Sequence, residues 1–358
     1  MAALPVSVCI IAKNEEKYLE QCLKHLLPYE MEIVVVDTGS TDATKEIAGK
    51  YTDKVYDFAW VDDFAAARNY AASQASHNWI LVLDCDEYLL ELDTRTLRVC
   101  MQQHLRHVGM LKLRNLYTKE DGSKAYHVDK VPRFYNKNFF EYRFRIHEQI
   151  TPKNQEKLEE VRLFTYELPL EAEHHGYDIS KEEMQKKQAR NLELLKSSIG
   201  ETPFDDYLYF QMGQSYYVLE QYELAAEAYH QSFDLLDNLE KGFVKNAVIS
   251  YTKTLHKLQR YEEQIKLQLS YEHIMQSAEF SYYLGCAFQE RGEYLKALLT
   301  FVKITQMRDF DSLGELAYDT YVKIMLLHGQ SGNQEGVEHF KKRLEEYGLA
   351  HGRQIVIQ

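Results

Sequence analysis

Short, almost wholly apolar runs fill the first half of the chain, whereas in the second half apolar positions recur every three or four residues. Val6 to Ala12, Glu32 to Val36 and Ile80 to Leu83 are β-branched and aliphatic stretches of strand length, as expected of strands buried on both faces of a parallel sheet. Between them Tyr18, Leu19, Cys22, Leu23, Leu26 and Leu27 fall at helical spacing. Helices are also predicted from Ala43 to Lys50 and around Phe64 to Tyr70. A short strand near Lys54 to Phe58 completes a β-α-β-α-β-α-β order, which predicts a doubly wound α/β sheet. Beyond it the pattern predicts a helix over Thr94 to Leu105 and a strand over Met110 to Tyr117. A hairpin turn at Asp121-Gly122 and a strand over Ala125 to Val131 follow.

From Ile179 the strand texture disappears. Ser180-Lys181-Glu182-Glu183 has the form of a capping box and starts a helix to about Ser197, which Gly200 to Pro203 ends. Tyr209, Met212, Gly213, Tyr216, Tyr222, Ala225 and Tyr229 then set a frame that Leu284, Gly285, Phe288, Tyr294, Ala297 and Phe301 repeat. A degenerate copy over Ile249 to Tyr271 keeps Tyr261, and a fourth ends with Gly336 and Phe340. This spacing is that of the tetratricopeptide unit, in which small residues let paired helices approach and aromatics fill the seams. The expected organisation is an α/β domain over 1–178, a helical linker over 179–203 and an all-α repeat solenoid over 204–350.

Composition narrows the class. A chain of 358 residues is long enough for two domains. A formal net charge of −13 without a long basic run disfavours a nucleic-acid partner or an anionic membrane surface. The five cysteines, Cys9, Cys22, Cys85, Cys100 and Cys286, are odd in number and lack Cys-x-x-Cys spacing, so reduced thiols are expected in place of a disulfide frame or zinc site. No apolar stretch approaches membrane-spanning length and Met1 to Pro5 does not open a leader pattern. A cytoplasmic protein without a transmembrane segment is the expectation.

Candidate chemistry gathers where predicted strands end. Ile80 to Leu83 stops at Asp84-Cys85-Asp86-Glu87. If the chain stays extended there, Asp84 and Asp86 point to one side and Cys85 to the other. Two carboxylates at the carboxyl end of a central strand, where open α/β sheets bind ligands, repel each other unless a cation intervenes. A hard divalent ion that brings a diphosphate with it is the natural guest. The plainer reading is that both acids cap a helix starting near Glu87 or solvate a loop. Lys13 to Glu15, Asp37 to Ser40, Arg68 and Asp84 to Asp86 would form one crevice. The absence of Gly-x-Gly-x-x-Gly after the first strand argues against a dinucleotide dehydrogenase. Downstream, Glu148 could accept a proton and Arg133, Arg143 or Arg145 could face phosphate oxygens. His174-His175 offers an imidazole to an ion.

Four blocks carry a resemblance: Val8 to Glu16 with Asn14-Glu15-Glu16, Val34 to Asp42, Asp63 to Asn69, and Trp79 through Asp84-Cys85-Asp86-Glu87. In that order and spacing they resemble glycosyltransferase family 2, over about the first 178 residues. Ile146-His147-Glu148 and His174-His175-Gly176-Tyr177 resemble a branch that includes the sublancin-type peptide S-glycosyltransferases and some lipopolysaccharide-core sugar transferases. The resemblance implies a GT-A nucleotide-sugar-binding fold and an inverting hexosyltransferase using a UDP-linked hexose or N-acetylhexosamine. It implies donor contacts from Asn14, Glu15, Asp37, Ser40, Arg68 and Asp84, with Asp37 on the uracil. It also implies Mg²⁺ or Mn²⁺ on Asp86, Asp84 and His174, and Glu148 as base. The fusion to repeats suggests a protein or peptide acceptor held by the solenoid, which could equally self-associate. A glycan or lipid-linked saccharide acceptor, and a non-catalytic repeat-based adaptor, are the alternatives.

Overall fold

The computed structural model describes residues 4–118, 124–153, 163–176, 180–199, 205–273 and 275–352. The expected turn at Asp121-Gly122, Tyr177 and the break at Gly200 to Pro203 lie outside the described residues. The chain divides into two compact units, Met1–Met184 and Gln185–Gln358.

In the first unit β1 (Val6–Ala12), β2 (Glu32–Asp37), β3 (Val55–Asp57) and β4 (Trp79–Val82) are parallel, in the order β3-β2-β1-β4. β1 shows why both faces must be apolar. Val6, Val8 and Ile10 pack into one core with α1 (Leu19–Leu26), while Cys9 packs into the other with Val34, Val36, Ile80 and Val82. The second core is roofed by α3 (Phe64–Gln74), whose inward residues Ala65, Ala71 and Ala72 let the helix lie close to the sheet. Register pairs Ala12 with Asp37 and Cys9 with Val82, so the carboxyl ends of β1, β2 and β4 share one rim.

The other half of the sheet departs from the doubly wound expectation. β7 (Lys124–Asn136) runs antiparallel between β4 and β6 (Val108–Thr118). β10 (Thr165–His174) is parallel to β6, and β5 (Glu87–Leu92) is antiparallel to β10 at the edge. The result is one mixed eight-stranded sheet in the order β3-β2-β1-β4-β7-β6-β10-β5. Glu87 therefore opens a strand, not a helix, and α4 (Thr94–Gln103) starts only after Asp93, whose carboxylate accepts from the Arg95 and Thr96 amides. β8 (Phe140–Arg143) and β9 (Gln149–Pro152) form a separate antiparallel pair, and α2 (Thr44–Gly49) follows β2.

The second unit is helical. α5 (Lys181–Ser198) begins with the expected capping box: the Ser180 amide donates to Glu183 Oε2 at 2.9 Å and the Glu183 amide to Ser180 Oγ at 3.2 Å. The stretch expected as a linker is thus built into a packed helix, with Leu192, Leu194 and Leu195 buried. Four helical hairpins follow: α6 (Asp206–Val218) with α7 (Tyr222–Asp234), α8 (Val244–Lys257) with α9 (Tyr261–Tyr271), α10 (Ala278–Glu290) with α11 (Tyr294–Ile304), and α12 (Glu315–Gln330) with α13 (Gln334–Ala350).

Close approach explains the small residues in the frame. A Cβ on Gly213 would meet the Tyr229 ring at 2.5 Å, and one on Gly285 the Phe301 ring at 2.7 Å. In the degenerate second hairpin Thr252, Gln264 and Gln268 stand at the positions of Gly213, Ala225 and Tyr229, and all three are fully buried. Their amides are satisfied by the next hairpin: Gln264 Nε2 donates to the Tyr283 carbonyl at 2.8 Å and Gln268 Nε2 to that of Phe280 at 2.6 Å. The turn inside each hairpin also needs one left-handed residue, at Glu220 (φ 60°), Gln259 (φ 58°), Gly292 (φ 74°) and Gly332 (φ 75°).

Gly285→Ala should therefore lower unfolding stability by about 1–3 kcal/mol through overpacking on Phe301, seen as a fall in thermal midpoint. Gln259→Gly should act in the opposite direction, by about 0.5–1 kcal/mol, because glycine relieves the left-handed strain that Gln259 bears. Thermal unfolding of the two variants beside the parent checks both signs.

Candidate active site

The rim carries two interlocked loops. Asn14, itself left-handed at φ 56°, donates its amide to Ser40 Oγ at 2.9 Å and accepts the Thr41 amide on Oδ1 at 2.8 Å. The Glu15 amide donates to Thr44 Oγ1 at 2.7 Å. Asp37 is buried, and its Oδ2 accepts the amides of Gly39 at 3.1 Å and Ser40 at 3.0 Å. Asn14, Asp37 and Ser40 thus shape the loops after β1 and β2 through their own side chains.

The acidic run does not stay extended. β4 ends at Val82, and a turn closes where the Glu87 amide donates to the Asp84 carbonyl at 3.0 Å while the Asp84 amide donates to Glu87 Oε2 at 3.0 Å. The alternation that would aim Asp84 and Asp86 together ends with the strand, and the two carboxylates have different partners. Asp84 lies between two guanidiniums, with Arg68 Nη2 at 2.9 Å from Oδ1 and Arg133 Nη2 at 2.8 Å from Oδ2. Both Asp84 oxygens accept from arginines, which offset the repulsion that a cation would otherwise relieve.

The arginines extend the network. Arg68 Nε donates to Glu148 Oε1 at 2.6 Å, and Arg133 Nη2 donates to Glu87 Oε1 at 2.5 Å. Three carboxylates and two guanidiniums thereby form one chain, Glu148–Arg68–Asp84–Arg133–Glu87. Burial pushes Asp84 up, but Arg133 and Arg68 outweigh it and hold the carboxyl well below the usual range. Glu87, only 1 % exposed, is pushed up by burial, with Arg133 opposing. Two N–H groups, Arg68 Nη1 and Arg133 Nε, are buried without a partner among the described residues. They are donors of the kind that phosphate oxygens satisfy.

Glu148 reaches Arg68 from a bend in which Phe144 (φ 73°) and His147 (φ 53°) are left-handed, a cost that bulky residues bear where surroundings over-determine the backbone. The Arg145 carbonyl accepts the Phe64 amide at 2.8 Å, fastening this bend to the start of α3 and so to Arg68. Of the three candidate arginines, Arg133 joins the network, Arg143 pairs with Glu141 at 3.0 Å, and Arg145 contributes this backbone contact.

Asp86 faces elsewhere. Its Oδ2 is 3.3 Å from His174 Nε2, and its carbonyl accepts the His175 amide at 3.0 Å. Burial pulls His174 down, but the hydrogen bond and charge of Asp86 outweigh it, so its pKa is raised. His174 is therefore the imidazole that faces the site, while His175 packs on Tyr88 with ring centroids 4.3 Å apart. A Cβ on Gly176 would lie 2.0 Å from Asp86 Oδ2 and 2.7 Å from His174 Nε2. Only glycine lets the two groups come together there, and one carboxylate oxygen beside one imidazole nitrogen is a donor pair that suits a small divalent ion. Among the described residues no group of three or more His, Cys, Asp or Glu side chains is arranged to hold one. Glu87 and Gly176 were missed by sequence reasoning, although Glu87 closes the acidic run and Gly176 follows the paired histidines.

The fold is that of a GT-A type of α/β domain followed by tetratricopeptide-like repeats. Residues 7–153, most of the first unit, match the model of glycosyl transferase family 2. The chain is 44 % identical over 89 residues to a TPR repeat-containing protein of Synechococcus elongatus, covering 25 % of this chain and 22 % of that protein. It is 37 % identical over 90 residues to the lipopolysaccharide core biosynthesis glycosyltransferase LpsC of Rhizobium meliloti, covering 24 % and 33 %. With the SPbeta prophage-derived glycosyltransferase SunS of Bacillus subtilis it shares 25 % identity over 281 residues, covering 71 % and 60 %. The chain thus spans less than two thirds of the length of each of these relatives.

Arg133→Leu leaves Glu87 buried with its charge unpaired, and unfolding stability at pH 7 should fall by about 3–5 kcal/mol. Asp84 is depressed in the folded protein, so the stability its pairing supplies is present above its ordinary pKa and is lost as pH falls through the folded value. The gap between variant and parent should accordingly hold down to about pH 4, the ordinary carboxylate pKa, and narrow only below it, which urea unfolding at pH 7, 4 and 2.5 measures.

Proposed function

We propose that the protein is an inverting glycosyltransferase that moves a hexose or N-acetylhexosamine from a UDP-linked donor to a protein or peptide acceptor, with Mn²⁺ or Mg²⁺ at Asp86 and His174. The observation that carries this reading is the Asp86–His174 pair on the same rim as the arginine–carboxylate chain, in a stretch that matches the family 2 model or directly follows it. When bound, the ion would neutralise charge on the departing diphosphate as a Lewis acid.

The protein's own groups supply the rest. Arg68 Nη1 and Arg133 Nε, which lack partners among the described residues, would donate to diphosphate oxygens as the sugar–oxygen bond lengthens. Asp37, with Asn14, Glu15 and Ser40, would hold the uridine in the double loop. Glu148, oriented by Arg68 Nε, would take the acceptor's proton on Oε2 as the acceptor heteroatom bonds to the anomeric carbon from the face opposite the diphosphate. A single displacement of this kind inverts the carbon.

A polypeptide acceptor is supported by the four helical hairpins, since stacked pairs of this sort build surfaces that hold extended chains. A glycan or lipid-linked saccharide acceptor is the second reading, favoured by the similarity to LpsC. Intact-mass measurement of peptides and of saccharide acceptors after incubation with UDP-sugars and Mn²⁺ separates the two. Added hexose on saccharide alone would discard the peptide, and no transfer together with no donor hydrolysis would discard the enzyme in favour of an adaptor.

Asp86→Ala and Gly176→Ala should each lower metal-stimulated donor turnover about 10²–10³-fold. The first removes the carboxylate and the second intrudes on it, while circular dichroism stays that of the parent. Turnover within threefold of the parent in both would remove Asp86 from the reaction.

A further inference from the structure

The carboxylate and imidazole of the rim are not alone. Asn115 is 3 % exposed on β6, and parallel pairing with β10 sets it directly beside His174. Its Oδ1 lies 2.8 Å from His174 Nδ1, and its Nδ2 donates to Asp129 Oδ2 on β7 at 2.8 Å. The donor and acceptor roles in this row follow by elimination. An ionised carboxylate only accepts, so the Asn115 amide must turn its NH₂ toward Asp129 and its carbonyl oxygen toward His174. That oxygen also only accepts, so His174 must carry a proton on Nδ1. Nε2 then faces Asp86 beside Gly176, donating to that carboxylate while no ion is bound and giving up its proton where an ion would be held.

We infer that Asn115 is a positioning residue for the ion: acting through His174, and oriented by Asp129, it fixes the imidazole tautomer and ring plane that turn Nε2 toward Asp86. The inference rests on the proposed ion at Asp86 and His174 and adds a residue that touches neither donor nor ion. Outer partners of a ligating imidazole act in this way, and their loss commonly weakens metal binding tenfold to a hundredfold. No feature of β6 as a strand calls for a buried amide here, since its neighbours Leu111 and Leu113 on the same face are apolar core residues.

Mn²⁺ alone, titrated into the full chain and followed by the electron paramagnetic resonance of free Mn²⁺, tests this without any turnover. Asn115→Leu should bind Mn²⁺ about tenfold to a hundredfold more weakly than the parent. Asn115→Asp, which keeps an acceptor on Nδ1, should recover most of the loss. Leu and parent agreeing within twofold, or Asp as weak as Leu, would overturn the assignment of Asn115 while leaving the ion in place. No Mn²⁺ uptake by the parent would overturn the ion itself and Asn115's role with it. Should Asn115→Leu not fold, Asp129→Asn decides: a severalfold loss of Mn²⁺ affinity supports the inference, and an unchanged affinity overturns it. Nitrogen-15 correlation spectra of the imidazoles give a separate readout, in which His174 of the parent should be the Nδ1–H form once Mg²⁺ is added.

Discussion

Five charged side chains in one line, Arg68 and Glu87 buried and the other three partly so, hold the rim of the first unit together. Glu148 comes from the bend before β9, Arg68 from α3, Asp84 from the turn after β4, Arg133 from β7 and Glu87 from the start of β5. No two adjacent members share an element, so each ion pair is also a tertiary constraint. Desolvating so many charges is costly, and a well-packed apolar substitute could equal or exceed the stability the line supplies. Its retention makes physical sense if the residual donors Arg68 Nη1 and Arg133 Nε have an anionic guest to meet.

The first unit was legible in sequence wherever local rules decide structure. β1, β2, α1 and α3 fall where apolar periodicity places them, because strands buried on both faces and amphipathic helices each leave a signature in consecutive residues. Asp84 and Asp86 show where that reasoning ends. Alternation holds only along an extended chain, and the strand stops one residue short of Leu83. Arg133 lies 49 positions from its partner Asp84, and no local pattern could foretell the pairing. Asn115 was still less visible, since its neighbour His174 is 59 positions away and the contact exists only through the register of β6 with β10.

The repeats reverse that balance. Their frame repeats along the chain, so Gly213 with Tyr229 and Gly285 with Phe301 announce their own contacts. What the frame hides is the second hairpin, where two buried glutamines replace the small and aromatic residues and look like decay. They are bonded directly to backbone oxygens of α10. Consensus reasoning reads the departure as loss, while accounting for each buried amide reads it as a different way of joining hairpins.

Greasy seams tolerate sliding, since one methyl is much like another, but an amide aimed at a particular carbonyl does not. The glutamine clasp therefore acts as a stop that sets the pitch of the array between its second and third hairpins.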